Sequence, residues 1–90
     1  MERIHLIISG KVQGVGFRYF CQYQSLLNNI TGFAKNLDNG AVEIEAQGTS
    51  PKLETFLNLI LKGNGFSKVE DYKITNLPVE NDEKKFKITY

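Results

Sequence analysis

Ile30-Thr31-Gly32-Phe33-Ala34-Lys35-Asn36-Leu37, then Asp38-Asn39-Gly40, then Ala41-Val42-Glu43-Ile44-Glu45-Ala46-Gln47, is the stretch on which the fold turns. An Asn-Gly pair between two alternating segments is the strongest short hairpin signal, because both residues accept the positive φ of a tight antiparallel turn. It predicts strands over Ile30 to Leu37 and Ala41 to Gln47. A helix lies to either side. On the C-terminal side Ser50-Pro51 supplies an N-cap and a proline at the first helical position; Leu53, Phe56, Leu57 and Ile60 recur at i, i+3, i+4 and i+7 until Lys62-Gly63 closes the helix. On the N-terminal side Phe17, Phe20, Cys21 and Leu27 fall near helical spacing within Phe17 to Asn29, although Gln24, Ser25 and Asn28 weaken the stripe. Asn28-Asn29 marks the stop, since Asn tolerates the left-handed position past a helix end.

Farther out, Ile4, Leu6 and Ile8 alternate with Arg3, His5 and Ser9 as a first strand, and Val69 to Thr75 reads as a fourth. Phe86, Ile88 and Tyr90 alternate with Lys85, Lys87 and Thr89 as a last strand, with Glu80 to Lys85 a charged, solvated turn before it. The order β-α-β-β-α-β-β predicts an α+β, ferredoxin-like βαββαβ sandwich, an antiparallel sheet with two helices on one face and an additional C-terminal edge strand.

Ninety residues fit a single domain over 1–90. Eleven basic against ten acidic residues leave no excess to hold a polyanion. An RNA-binding sheet of this topology would need aromatic and basic residues on its third strand, where Ala41 to Ala46 offers two carboxylates and no ring. No nucleic-acid partner is therefore expected. The longest apolar runs are too short to span a membrane, and no secretory pattern opens the chain, so a cytoplasmic protein without membrane association is expected. One cysteine and one histidine exclude a multi-thiolate or His-rich metal site, so metal-free chemistry is expected.

Chemistry concentrates in Gly10-Lys11-Val12-Gln13-Gly14-Val15-Gly16-Phe17-Arg18, a glycine-rich link from strand to helix. Backbone N–H groups and the helix dipole can bind an anion there, although a tight structural turn would use the same residues. No Gly-Lys-Ser/Thr closes a Walker loop, and Tyr19 stands where a dinucleotide fingerprint needs a third Gly or Ala. Arg18 tips the balance, because a cation at the positive end of a helix is unfavourable unless an anion joins it, and its fork suits phosphate.

Val12-Gln13-Gly14-Val15-Gly16-Phe17-Arg18 resembles the signature loop of the acylphosphatases, and Gly32-Phe33-Ala34-Lys35-Asn36-Leu37, with Asn39-Gly40 and Val42-Glu43 through Ala46-Gln47-Gly48, resembles their second block. The likeness runs through the closing Phe86-Lys87-Ile88-Thr89-Tyr90. It implies hydrolysis of the carboxyl-phosphate bond of a small acyl phosphate, giving inorganic phosphate, without a metal or cofactor; a free-standing monomer is expected. It makes Arg18 the phosphate-binding arginine, gives Gln13, Gly14, Val15, Gly16 and Phe17 the role of backbone donors, and makes Asn36 the holder of the attacking water. The alternative is a non-catalytic phosphate- or anion-binding module on the same fold. Lys11, Phe33 and Lys35 depart from the family's usual residues at the periphery; Ser25, Asn28 and Asn29 depart on the first helix, where stability is at stake. His5 reads as a strand residue rather than a base, Cys21 as a small hydrophobe, and the scattered tyrosines as partly buried.

Overall fold

The Asn-Gly hairpin forms where the sequence puts it. In the computed structural model, which describes residues 1–90, β1 spans Glu2–Lys11, α1 Phe17–Asn28, β2 Thr31–Asn36, β3 Val42–Gly48, α2 Ser50–Lys62, β4 Lys68–Leu77 and β5 Phe86–Thr89. The hairpin turn closes through Leu37 N–H to the Ala41 carbonyl (2.8 Å) and Ala41 N–H to Asn39 Oδ1 (3.0 Å). The five strands lie in the order β4-β1-β3-β2-β5.

Antiparallel pairing holds for β1 with β3, β1 with β4 and β2 with β3, but β5 pairs parallel to β2, so the sheet is mixed rather than antiparallel. Direction forces this. The crossover through α1 leaves β2 running the same way as β1; β4 runs opposite, and one reversal after it returns β5 to the direction of β1 and β2. Because β4 and β5 occupy opposite edges, residues 78–85 must traverse four strand spacings, roughly 19 Å.

From Glu80 to Lys85 that traverse is exposed except at Glu83, as a charged, solvated segment would be, but it is anchored at two points. Arg3, only 5% exposed, donates through Nη1 and Nη2 to the Glu83 carboxylate at 2.7 and 3.1 Å and also pairs with Glu45. Gln47 exchanges two 2.8 Å hydrogen bonds with the Glu80 backbone. Burial works against the Glu83 carboxylate, and the Arg3 guanidinium reverses it, leaving the pKa below the ordinary value. Charged residues cross the open sheet face because a buried arginine holds them.

Both helices cover the other face. Leu53, Phe56 and Ile60 of α2 are buried, Leu57 is partly so, and the Phe56 and Phe86 ring centroids lie 5.9 Å apart. The N-cap is Thr49 rather than Ser50, placing Ser50 and Pro51 within the first turn; the Thr49 side chain makes no capping bond. On α1 the buried face is Phe17, Cys21, Ser25 and Asn28, while Leu26 and Leu27 are 74% and 58% exposed. The stripe expected to include Leu27 is thus displaced: Phe17 and Cys21 set the rotation, and at i, i+4, i+8 and i+11 the polar residues follow inward. Ser25 and Asn28 satisfy themselves one turn back, on the Gln22 and Gln24 carbonyls. Asn29 ends the helix at φ 54, the one non-glycine residue with positive φ. No helix is long and apolar enough to cross a membrane.

Candidate active site

β1 bends at a register shift between Ser9 and Gly10, then gives way to a loop whose ends are fixed in the core by Val12 and Phe17, each 1% exposed. Gly14 and Gly16 take left-handed φ values of 74° and 75°. A Cβ at Gly14 would meet nothing within 4 Å, and one at Gly16 only Asn64 Nδ2 at 3.9 Å, so crowding by the protein does not demand glycine here. The backbone twist does. Gly16 caps α1 with no side-chain capping bond, no acidic residue occupies the first turn, and the N–H groups from Gly14 to Tyr19 find no backbone acceptor. Free donors, the positive helix end and Arg18 therefore converge.

The Arg18 guanidinium carbon sits 4.8 Å from the Tyr90 ring centroid, and Nη1 donates to the Thr89 carbonyl at 3.1 Å. One of its five N–H groups is thereby used, and the side chain is held against β5 with donors to spare. Asn36 arrives from the end of β2. It continues the series of Ala34, which is fully buried under the helices, so it projects on the helix side of the sheet beside the loop. Its Oδ1 is a buried acceptor with no hydrogen-bond partner within the chain. Arg18, Asn36, Gly14, Gly16, Phe17, Val12 and Tyr19 line one cleft of about 100 Å³. A larger open hollow, about 570 Å³, lies between Phe33 and Asp82–Lys85 and holds none of the loop residues.

Two of the six loop positions read as ligands from the sequence, Gln13 and Val15, do not line that cleft. The Gln13 side chain donates to the Leu37 and Ala41 carbonyls at 2.7 and 2.9 Å, tying the loop to the hairpin that carries Asn36. Val15 is partly buried against the core, and its carbonyl accepts from Asn64. The roles of Thr89, Tyr90 and Asn64 were not readable from pattern. A closing aromatic strand was visible, but its meeting with Arg18 spans 71 residues.

His5 lies on the open face of the sheet, opposite the helices, with Nε2 2.8 Å from Glu43 Oε2. Cys21 is wholly buried, and burial pushes its thiol pKa up, which disfavours a thiolate. The tyrosines are exposed rather than partly buried, from 48% at Tyr72 to 86% at Tyr90. No three His, Cys, Asp or Glu side chains cluster as metal ligands would.

The family profile described as acylphosphatase matches residues 4–88. The acylphosphatase of Geobacillus kaustophilus is 48% identical over 90 residues, spanning 100% of this chain and 96% of the relative. That of Clostridium beijerinckii is 51% identical over 90 residues and 100% of both. Among solved structures, the crystal structure of acylphosphatase from Bacillus subtilis aligns with a TM-score of 0.94 over 100% of both chains at 39% identity.

Proposed function

The chain belongs to the acylphosphatase family, and from that premise we propose that the cleft at the start of α1 is where it binds and hydrolyses its acyl phosphate. The protein is a hydrolase that splits the carboxyl-phosphate bond, releasing carboxylate and inorganic phosphate. The observation that carries the location is convergence: Arg18 and Asn36, from different elements, face one cleft floored by glycine backbone.

The remaining Arg18 donors grip the phosphoryl oxygens, joined by N–H groups of the Gly14 to Phe17 backbone, and both neutralise charge spread over those oxygens in the transition state. Water attacks phosphorus in line with the departing carboxylate, whose oxygen keeps the electron pair of the broken P–O bond. Asn36 orients that water but cannot take its proton, since an amide is not a base at neutral pH. The proton passes to a phosphoryl oxygen of the substrate itself. A carboxylate is a good leaving group, so positioning and charge neutralisation suffice without a metal or a protein base. The cleft, about 100 Å³, is small beside the hollow of about 570 Å³ between Phe33 and Asp82–Lys85. It therefore grips the phosphoryl end and leaves the acyl part outside, giving broad acyl tolerance. We assign this to a single cytoplasmic domain acting as a monomer and without nucleic acid.

The test is hydrolysis of an aryl acyl phosphate by purified protein in excess EDTA. Turnover equal to that without chelator is expected. Activity that vanishes with EDTA and returns with a divalent metal would contradict the mechanism, and no turnover in either condition would contradict the enzyme.

A further inference from the structure

The turn after α2 braces the anion-binding loop from outside. Asn64 Nδ2 donates to the Val15 carbonyl at 2.9 Å across 49 residues of sequence. The other half of the same amide is committed to its own turn: Oδ1 accepts from Phe66 N–H at 2.9 Å and Ser67 N–H at 2.8 Å, while Asn64 N–H donates to Ser67 Oγ at 3.2 Å. With Oδ1 so held, the NH₂ group can only face Val15.

No peptide in the chain is cis. In a planar trans peptide the carbonyl and the next N–H point to opposite sides, so fixing the Val15 oxygen on Asn64 fixes the Gly16 N–H in the reverse direction. Gly16 lines the cleft. The plane of this peptide turns on ψ of Val15 and φ of Gly16, and the glycine side offers little resistance to that rotation, so the bond from Asn64 supplies a restraint that the loop's own backbone lacks. Gln13 holds the loop's other end to the hairpin, and no other side-chain hydrogen bond reaches the Val15–Gly16 peptide.

We propose that Asn64 is a positioning residue for the reaction: by holding the Val15 carbonyl it keeps the Gly16 N–H presented to the phosphoryl oxygens. This rests on the reading of the cleft as the acyl phosphate site. Such a donor, oriented before substrate arrives, contributes both to phosphate affinity and to the transition state.

The experiment titrates inorganic phosphate into ¹⁵N-labelled wild type, Asn64→Ser, Ser67→Ala and Arg18→Ala, following the Gly16 amide, and measures kcat and KM for the wild type and the two variants that keep Arg18. Serine can still close the turn but does not reach Val15. Asn64→Ser is expected to weaken phosphate binding about tenfold, to lower kcat/KM by about ten- to a hundredfold, and to abolish the phosphate-induced shift of Gly16. Ser67→Ala loosens the same turn and is expected to bind and turn over as wild type. Wild-type affinity and a normal Gly16 shift in Asn64→Ser, with binding lost in Arg18→Ala, would overturn the proposal and leave the site standing. An equal loss in Ser67→Ala would also overturn it, showing that any loosening of the turn suffices. Phosphate binding that survives in Arg18→Ala would overturn the site itself. If Asn64→Ser does not fold, Asn64→Asp is read in its place: it keeps the acceptor for Phe66 and Ser67, loses the donor to Val15, and is expected to show the same losses.

Discussion

The chain starts a helix directly after a strand twice, and the two starts do opposite things. Before α1, five residues from Val12 to Gly16 intervene, two glycines turn left-handed, and Arg18 sits in the first turn. Before α2 only Thr49 intervenes, in extended conformation, and Pro51 occupies the first turn. Neither start has a side-chain cap, so both present the positive end of a helix dipole. At α2 the proline removes one donor and no arginine is near in sequence. The dipole is common to both and does not by itself make a site. The first start differs by backbone twisted to free its N–H groups, a guanidinium held by Tyr90 and the Thr89 carbonyl, and braces from Gln13 and Asn64.

Removing what distinguishes the first start should make it resemble the second. Arg18→Ala should cost most: kcat/KM for an aryl acyl phosphate falls by at least ~10³, as when a phosphate-binding arginine is lost, and calorimetry detects no inorganic phosphate binding. Arg18→Lys should not restore full function, because a point charge replaces a fork. Wild-type phosphate affinity in Arg18→Ala would erase the difference between the two helix starts. Asn36→Ala should come next, with kcat down by ~10²–10³ and phosphate affinity little changed, since water orientation acts mainly in the transition state. If kinetics show unchanged kcat, or calorimetry shows binding lost as fully as with Arg18→Ala, Asn36 has another role. His5→Gln should cost least. It sits across the sheet, paired with Glu43, so most activity is retained and the pH–rate profile keeps its shape once substrate ionisation is accounted for. A folded variant with a large loss of kcat would reinstate a protein base.

The contrast also marks what sequence can carry. Asn39-Gly40 and the stripe Leu53, Phe56, Leu57, Ile60 encode their elements locally, and the hairpin and α2 followed from them. On α1 Phe17, Phe20 and Cys21 pack inward as the pattern has it and Leu27 does not, because Ser25 and Asn28 complete the buried face with their polarity hidden in bonds one turn away, which no hydropathy pattern registers. The parallel pairing of β5 depends on which edge the chain reaches after crossing the sheet, and that crossing is held by Arg3 to Glu83, eighty residues apart. At the candidate site, Arg18 and Asn36 were marked by two linked motifs. Their support from Thr89, Tyr90 and Asn64 was invisible, since those contacts exist only in the assembled fold.

Under the proposed function, only the first of the two helix starts with the same dipole holds a phosphoryl group. Inorganic phosphate titrated into ¹⁵N-labelled protein, with every assigned amide followed, tests it most directly. Saturable shifts at Gly14 through Tyr19 and the Arg18 side chain, with the Ser50 and Lys52 amides at the start of α2 unmoved, are the result predicted. Equal shifts at both starts, or shifts that leave the Gly14 to Tyr19 amides in place, would contradict it.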